Sequence, residues 1–182
     1  SKFARMPEPE TSLQDVTQLV RDAVLLQREG QPGVKITVDQ PNGPVIAQVD
    51  ATMVSQALTN LIKNAGEAIA SLTQKGDTDG FEPQIQVALH TTETTVEITI
   101  ADNGIGLPED RARLFEPYVT TSSEGTGLGL PIVKKIIEEH GGTLMLENAP
   151  VFANQTHFGA MAIITLPLAP TSQPNVLETQ DE

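Results

Sequence analysis

Three stretches of the chain carry apolar residues at the spacing of an amphipathic helix. They cover residues 12 to about 27, 50 to about 72, and about 128 to 140. Ser12 and Asp15 fit a capping box at the start of the first helix. Asp50 caps the second helix, and Gly141-Gly142 is a stop signal after the third. The pattern therefore predicts three amphipathic helices.

Six shorter stretches alternate between apolar and polar residues, which is the pattern of half-buried β-strands. They cover residues 34–38, 45–49, 85–89, 96–100, 143–147 and 160–166. The first two strands are joined by the turn Pro41-Asn42-Gly43-Pro44. The strict strand–helix alternation of a doubly wound fold is absent. The order of elements predicts a mixed sheet with its helices on one face, a two-layer α/β sandwich.

Length and charge exclude several functions without changing this picture. The 182 residues fit one domain, and the absence of cysteine excludes disulfides, thiolate metal sites and thiol catalysis. The net charge of −13, from 24 acidic and 11 basic residues, makes nucleic acid and anionic lipid poor partners. No apolar run approaches the roughly 20 residues of a membrane span, and no signal-peptide pattern is present.

Composition divides the chain into three parts. Residues 1–11 start without an initiator Met and contain prolines and mixed charges, so we expect a connector in a piece of a longer protein. Residues 12–168 contain all predicted helices and strands. Residues 169–182 are polar and acidic, and we expect them to form a disordered tail.

A polar stripe runs along the predicted second helix, in the segment QALTNLIKNAGEAI. Asn60, Asn64 and Glu67 lie within about 60° of one another around the helix axis. Asparagine inside a helix costs roughly half a kcal/mol in helix propensity, and Lys or Glu would suit a solvated face better. The stripe is therefore either an exposed polar face or a set of oxygens that converge on a hard cation such as Mg²⁺.

The segment ADNGIGLPED directly follows a predicted strand. Asp102 lies where the chain leaves the sheet, and Gly104 and Gly106 permit unusual backbone angles or close approach. Asp-Asn-Gly is also a hairpin-turn signal, but the next predicted strand begins only at residue 143. Two interpretations remain: a turn, or a carboxylate that accepts a hydrogen bond from the exocyclic amine of adenine.

Glycines alternate just before the third helix, in EGTGLGLPIV, at positions 125, 127 and 129. Backbone N–H groups of such a loop can point at phosphate. The dinucleotide fingerprint does not fit, because Leu130 stands where it requires glycine and no strand precedes the loop. The P-loop does not fit either, since no Gly-Lys-Ser/Thr occurs. The glycines alone leave phosphate binding open.

Taken together and in order, four segments resemble the catalytic ATP-binding domain of two-component sensor histidine kinases. QALTNLIKNAGEAI, DNGIGLPED, LFEPYVTT and GTGLGLPIV match the N, G1, F and G2 boxes, and GAMAIITLPL resembles the closing strand. SKFARMPEP with FEPYVTT further resembles the nitrogen-regulation sensor kinases of the NtrY type. The resemblance covers residues 12–168. It implies a Bergerat-type ATP-binding fold, an α/β (α+β) two-layer sandwich with a mixed, mostly antiparallel sheet.

The resemblance implies roles for the matching residues. Asn64 would ligate the Mg²⁺ that bridges the phosphates of ATP, and Asn60 would support it as the second catalytic residue. Glu67 would lie at the rim of that ion. Asp102 would accept a hydrogen bond from the adenine amine, and Thr165 is a further candidate for the adenine pocket.

The same resemblance implies roles for the loops. Gly104 and Gly106 would let the backbone approach the base. Residues 107–124 would form a mobile lid over the triphosphate, anchored by Phe115 and Tyr118. The phosphates would be cradled by Gly125, Thr126, Gly127, Leu128 and Gly129.

One departure from the family pattern lies after the F box. Many relatives with FEPFFTT continue with Lys or Arg, whereas Ser122 and Ser123 follow here. No basic residue occurs between Arg113 and Lys134. Neutralisation of the phosphate charge would then rest more heavily on Mg²⁺, backbone amides or a residue from another domain.

A second departure is that nothing resembles the family's phosphoacceptor helix, which reads His-Glu followed by Asn-Pro. His90 lies at a strand end, His140 at a helix C-terminus, where an imidazolium suits the helix dipole, and His157 in a loop. We expect all three histidines to be structural. The histidine that accepts the phosphoryl group would then belong to an upstream helical domain.

Three functions remain open: a histidine kinase fragment, an ATPase or serine kinase of the same fold, and a non-enzymatic nucleotide sensor. The ATPases and serine kinases resemble this helix but place Glu one turn before the Mg²⁺ asparagine, as a base. Asn60 stands there in this chain, and an amide accepts no proton. A neutral imidazole is already a nucleophile and needs no such base. We therefore expect a protein-histidine kinase.

The resemblance also implies partners and a location. The cofactors would be ATP and Mg²⁺. The partners would be the upstream dimerisation and phosphoacceptor domain of the same protein and, downstream, a response regulator. The chain would be a cytoplasmic domain, within a membrane-anchored sensor protein.

Overall fold

The computed structural model describes residues 6–76, 79–116, 129–150, 152 and 155–170. The elements in chain order are β1 Ser12–Asp15, α1 Val16–Gly30, β2 Lys35–Asp39, β3 Ile46–Val49, α2 Ala51–Gln74, β4 Gln84–Thr91, β5 Thr95–Asp102, a 3₁₀ helix Arg111–Phe115, α3 Gly129–Glu139, β6 Thr143–Asn148 and β7 Ala160–Pro167. The predicted helices and strands are all present, and β1 and the 3₁₀ helix are additional. Within the described ranges no helix is both long and apolar enough for a membrane span.

Five strands form the main sheet in the order β2-β4-β5-β7-β6. Strand β2 runs parallel to β4, while the other neighbouring pairs are antiparallel. On β5 the side chains of Val96, Ile98 and Ile100 are buried and alternate with more exposed residues. The sheet is therefore mixed and mostly antiparallel, with one face turned to the core, as predicted.

Helix α2 is the centre of the second layer. It packs between α1 and α3 and lies on β4 and β5, and all three helices share one hydrophobic core with the sheet. Its buried face consists of Met53, Val54, Ala57, Leu58, Leu61, Ile62, Ala65 and Ile69. Each fully buried Leu or Ile contributes about 1.5–3 kcal/mol. This arrangement confirms the predicted two-layer α/β sandwich.

The predicted capping box at Ser12 is wrong. Residues Ser12–Asp15 form β1, which pairs antiparallel with β3 in a separate two-stranded sheet. The helix begins at Val16, and Asp15 is its N-cap. Asp15 Oδ1 accepts hydrogen bonds from the backbone N–H groups of Thr17 at 3.0 Å and Val45 at 3.1 Å. Pairing with β3 thus places Ser12–Asp15 in a strand, although the capping pattern at Ser12 favours a helix.

The two strands on either side of the 41–44 turn do not pair with each other. Strand β2 joins the edge of the main sheet, and β3 pairs with β1. Alternation identifies a strand but not its neighbour, because any free strand edge offers the same backbone donors and acceptors.

The predicted cap of the central helix is confirmed, and it has further contacts. Asp50 Oδ1 accepts from Met53 N at 3.1 Å, and Oδ2 accepts from Glu10 N at 2.9 Å. These hydrogen bonds hold the pKa of Asp50 below its usual value. Asp50 N donates to His140 Nε2 at 3.0 Å, and His140 Nδ1 lies 2.7 Å from Ile136 O. His140 thus joins the end of α3 to the start of α2.

Candidate nucleotide-binding site

Asp102, the last residue of β5, is a buried carboxyl group with 4 % exposure. Its Oδ1 accepts hydrogen bonds from Gly104 N at 2.9 Å and Ala160 N at 3.4 Å. Among the described residues, none donates to Oδ2. Burial raises the pKa of Asp102 to about 6, against the opposing effect of these hydrogen bonds and of the His157 charge. A buried carboxyl with a raised pKa and a spare acceptor oxygen is typical of a binding site.

Asn103 holds the following loop to the start of β4. Its side-chain Nδ2 donates to Glu82 O at 2.8 Å, and its Oδ1 accepts from Gln84 N at 2.9 Å. Its backbone N donates to Gln84 O at 3.3 Å. Asn103 was not among the predicted site residues. The sequence feature that could have indicated its role is its position in a turn between Asp102 and Gly104, where an Asn side chain often forms hydrogen bonds with nearby backbone.

Gly104 brings the loop against the backbone of helix α2. A Cβ atom on Gly104 would lie 2.6 Å from Ile69 N and 2.7 Å from Ala68 O, which a side chain cannot tolerate. The next residue, Ile105, donates its N–H to Ala68 O at 3.2 Å. Gly104 is therefore needed for the contact between the loop and the helix.

Gly106 and Gly159 allow a second close approach, between this loop and the segment before β7. Gly106 has a φ of +82°, and a Cβ atom on it would lie 2.7 Å from Phe158 O. A Cβ atom on Gly159 would overlap the Asp102 carbonyl group. His157 Nε2 lies 3.1 Å from both Asn103 O and Gly104 O. The segment 157–160 therefore forms one wall around Asp102.

The polar stripe of α2 lies on the same side of the helix as this loop. Asn60, Asn64 and Glu67 are all partly exposed on α2. Asn64 precedes Ala68, the residue that binds the loop, by one turn, which is roughly 6 Å along the axis. The Asn64 amide lies 3.5–3.6 Å from a Cβ atom built on Gly129, the first residue of α3. The stripe therefore lies between the Asp102 loop and the start of α3.

Thr165 is not part of this arrangement. In the sheet it pairs with Glu97 and Thr143. Glu97 is five residues from Asp102 along β5, a separation of roughly 16 Å. On β7, the residue that reaches Asp102 is Ala160, through its backbone N–H. Five of the predicted site residues lie outside the part of the chain that the structure describes, namely Tyr118, Gly125, Thr126, Gly127 and Leu128.

A protein-family model described as "Histidine kinase-, DNA gyrase B-, and HSP90-like ATPase" matches residues 49–170. The chain therefore belongs to this family. The match includes the Asp102 loop, the stripe of α2 and the start of α3. The match to this family supports ATP as the substrate of the chain.

The similar proteins narrow the class to sensor histidine kinases. Nitrogen regulation protein NtrY of Azorhizobium caulinodans is 48 % identical over 82 % of this chain and 19 % of its own length. C4-dicarboxylate transport sensor protein DctB of Rhizobium meliloti is 34 % identical over 82 % of this chain and 23 % of its own length. The chain thus spans about a fifth of these relatives. The predicted resemblance to sensor histidine kinases of the NtrY type is confirmed.

Solved structures agree with this class. The nucleotide-free catalytic domain of histidine kinase ThkA is 28 % identical with a TM-score of 0.70, covering 88 % of this chain and 99 % of that one. The mycobacterial sensor histidine kinase MprB has a TM-score of 0.71 at 24 % identity, with the same coverage, and supports the fold. The structure of histidine kinase ThkA in complex with response regulator TrrA has a TM-score of 0.71 at 24 % identity, covering 94 % of this chain and 46 % of that one.

Proposed function

We propose that this chain binds Mg²⁺-ATP and transfers the γ-phosphoryl group to a histidine on a separate domain. The observation that carries the proposal is that helix α2 supports both halves of a nucleotide site. Its Ala68 O binds the Asp102 loop, and its Asn64 lies beside Gly129. Adenine would lie at Asp102. The phosphates would lie at the start of α3, where free N–H groups and the helix dipole favour anions.

The groups around Asn64 suit Mg²⁺. Asn64 presents an uncharged amide that forms no hydrogen bond with the described residues. Mg²⁺ keeps several waters and usually takes one or two protein oxygens together with phosphate oxygens. Bound there, the ion would neutralise charge on the phosphates. Asn60 and Glu67, half-exposed on the same side of α2, would support the ion from either side of Asn64.

The contacts of the three histidines support the proposal that the phosphoryl acceptor lies on another domain. His140 bonds Asp50 N and lies against Ile136 O, and His157 lies against two loop carbonyl oxygens. His90 is exposed on β4, where it pairs with Glu97 on β5. Among the described residues, none of these three histidines forms a hydrogen bond with Asn64. The phosphoryl group would therefore leave this chain.

Hydrolysis of ATP by this domain is the second candidate, because the family includes ATPases. Water is a poor nucleophile at neutral pH and needs a base to remove its proton. Asn60, one turn before Asn64, offers an amide that accepts no proton. An acceptor imidazole needs no such base, so position 60 favours transfer to histidine over hydrolysis.

We assign the remaining segments by the same proposal. Residues 107–124 would form a lid over the triphosphate. Its described part contains the 3₁₀ helix, in which Leu114 is buried and the Phe115 ring lies 4.9 Å from Lys134 Nζ, so this end is anchored on α3. Residues 1–11 would connect an upstream phosphoacceptor domain to the catalytic domain at 12–168. The predicted acidic tail at 169–182 lies outside the described residues except for Ala169 and Pro170.

The partners belong to the proposal as well. The phosphorylated histidine would pass its phosphoryl group to a response regulator, as the pairing of ThkA with TrrA suggests. The chain would act in the cytoplasm as part of a membrane-anchored sensor protein. Its role would then be to phosphorylate a helical domain whose conformation depends on the sensed signal.

A transfer assay tests the proposal. The purified chain is incubated with γ-labelled ATP and Mg²⁺, alone and with the helical phosphoacceptor domain of an NtrY-type relative. We expect label only on the added domain, with the acid lability of a phosphohistidine, because none of the three histidines of this chain stands in an acceptor motif. The matched control is the same helical domain with its acceptor histidine replaced by Gln, which should stay unlabelled.

Two results would contradict the proposal. Stoichiometric label on the isolated chain would place an acceptor within it. Multiple-turnover phosphate release from the isolated chain would favour the ATPase alternative and would mean that Asn60 does not prevent activation of water.

A further inference from the structure

His157 lies outside the sequence boxes that define the nucleotide site, yet it contacts the loop after Asp102. Its Nε2 atom lies 3.1 Å from Asn103 O and 3.1 Å from Gly104 O. Both residues are buried. In the described part of the chain no other group donates to either carbonyl oxygen. The imidazole is therefore the partner of two buried acceptors at the centre of the proposed adenine pocket.

The chemistry of these contacts sets the hydrogen position on the ring. A carbonyl oxygen only accepts, so Nε2 must carry a hydrogen. The neutral tautomer with hydrogen on Nε2 and the imidazolium both satisfy this requirement, whereas the neutral tautomer with hydrogen on Nδ1 does not. The contact therefore persists whether or not the ring is charged.

The same short segment also orients the carboxylate of Asp102. Ala160, three residues after His157, donates its N–H to Asp102 Oδ1 at 3.4 Å. Gly104 N binds the same oxygen at 2.9 Å, which leaves Oδ2 for a ligand. The imidazole of His157 contacts the carbonyl oxygen of Gly104, and the N–H of Gly104 donates to Asp102 Oδ1. Gly104 therefore connects His157 to Asp102, the residue that would recognise the base.

We propose that His157 is a positioning residue for base selection, which holds the Asn103-Gly104 backbone so that Asp102 Oδ2 faces the 6-amino group of adenine. This inference rests on the proposed function, because it takes Asp102 as the adenine acceptor. Without the imidazole, Gly104 N and the Asp102 carboxylate lose their alignment. Discrimination between adenine and guanine then decreases more than the affinity for the phosphates does.

The test compares ATP and GTP binding by calorimetry at pH 8 in the wild type and in three variants. His157→Ala removes the donor, His157→Gln keeps an N–H group at the position of Nε2, and His90→Ala removes an exposed histidine on β4 as a matched control. We expect His157→Ala to reduce the ratio of ATP to GTP affinity by about tenfold. His157→Gln should restore the ratio, and His90→Ala should leave it unchanged.

A pH series separates positioning from a merely structural role. The charge of His157 lowers the pKa of the Asp102 carboxyl. His157→Gln lacks this charge. The pH below which ATP affinity falls should therefore be higher in His157→Gln than in the wild type, although both bind alike at pH 8. A general loss of packing would lower the melting temperature and leave this midpoint in place.

The outcomes distinguish this inference from the proposed function. Equal ATP and GTP affinity in the wild type would remove Asp102 as the adenine acceptor. A wild type that prefers ATP, with an unchanged ratio in folded His157→Ala, would overturn the role of His157 alone. If His157→Ala does not fold at the titration temperature, His157→Asn replaces it, because its shorter amide does not reach the two carbonyl oxygens. An unchanged ratio in His157→Asn would likewise overturn the inference.

Discussion

At the scale of single residues, Asp102 combines a functional advantage with a cost in stability. A buried carboxylate loses most of its hydration, and two backbone N–H groups on Oδ1 compensate only in part. The result is a pKa of about 6 rather than 3.8. The free oxygen that would bind adenine is therefore also the oxygen that destabilises the unliganded domain at neutral pH.

The cost predicts that Asp102→Asn stabilises the domain at pH 8. Because the folded-state pKa is raised, the stability that the protonated carboxyl contributes is fully present below about 3.8 and is lost as pH rises through about 6. The shift corresponds to about 3 kcal/mol. Urea unfolding should show a higher free energy of unfolding for Asp102→Asn at pH 8 and a much smaller difference at pH 4. A variant less stable than wild type at pH 8 would contradict this account of the pKa.

The same titration predicts that nucleotide preference depends on pH. If Asp102 binds adenine as proposed, its carboxylate accepts a hydrogen bond from the 6-amino group at pH 8, and ATP should bind roughly ten- to a hundredfold more tightly than GTP. As pH falls through about 6, protonated Oδ2 becomes a donor, which opposes the adenine amine but suits the guanine carbonyl. Calorimetry from pH 8 down to pH 5 should show that the ratio of ATP to GTP affinity decreases. Asp102→Asn is the control, and a pH-independent ratio in the wild type would exclude titration of Asp102.

At the scale of elements, the site depends on how one loop meets one helix. The loop after β5 binds Ala68 O through Ile105 N, and Gly104 lies directly on the helix backbone. Asn64, one turn earlier on the same helix, lies beside the start of α3. Any shift of the loop along α2 would therefore change the distance between the base and the phosphate half of the site.

Gly104→Ala tests this contact. Its Cβ atom would lie 2.6 Å from Ile69 N, and backbone cannot move aside as a flexible side chain does. We expect a loss of about 1–3 kcal/mol in the free energy of unfolding, together with weaker ATP binding. Gly43→Ala is the matched control, because a Cβ atom there meets nothing within 4 Å. Equal effects of the two variants on ATP affinity would show that the loop tolerates displacement from the helix.

At the scale of the whole molecule, one core connects the three helices with the main sheet, while Ala101, next to Asp102, packs in a second, smaller cluster with Ala149 and Phe152. Helices α1, α2 and α3 pack with the buried face of the main sheet in a single hydrophobic cluster. A ligand that bridges the β5 loop, α2 and α3 therefore stabilises the folded state as a unit. Binding energy then appears directly as a higher melting temperature.

Asn64→Ala should remove the Mg²⁺-dependent part of this stabilisation. We expect ATP with Mg²⁺ to raise the melting temperature of the wild type more than ATP with EDTA does, because in the proposed site the ion would link Asn64 to the phosphates. In Asn64→Ala the two melting temperatures should nearly coincide. Gln56→Ala, an exposed amide on the same helix, is the control. An undiminished Mg²⁺ effect in Asn64→Ala would remove this residue from the metal site.

Local patterns in the sequence determined most of the elements and the candidate residues. The cap at Asp50, the stop at Gly141 and the alternation in β4, β5, β6 and β7 depend on neighbours within a few residues. Asp102 and Asn64 were predicted as site residues from the resemblance of four ordered segments to the histidine kinase family. The family and the two-layer fold therefore follow from the chain without coordinates.

Tertiary structure alone decided which distant segments meet. Ser12 carried a helix signal but pairs with β3, and β2 lies parallel to β4 instead of pairing across its own turn. His157 contacts Asn103 across 54 residues of sequence, and Ala160 reaches Asp102 across 58. Backbone donors and acceptors are the same at every position, so pairing over such separations depends on the packing of the entire core. No local spacing encodes it.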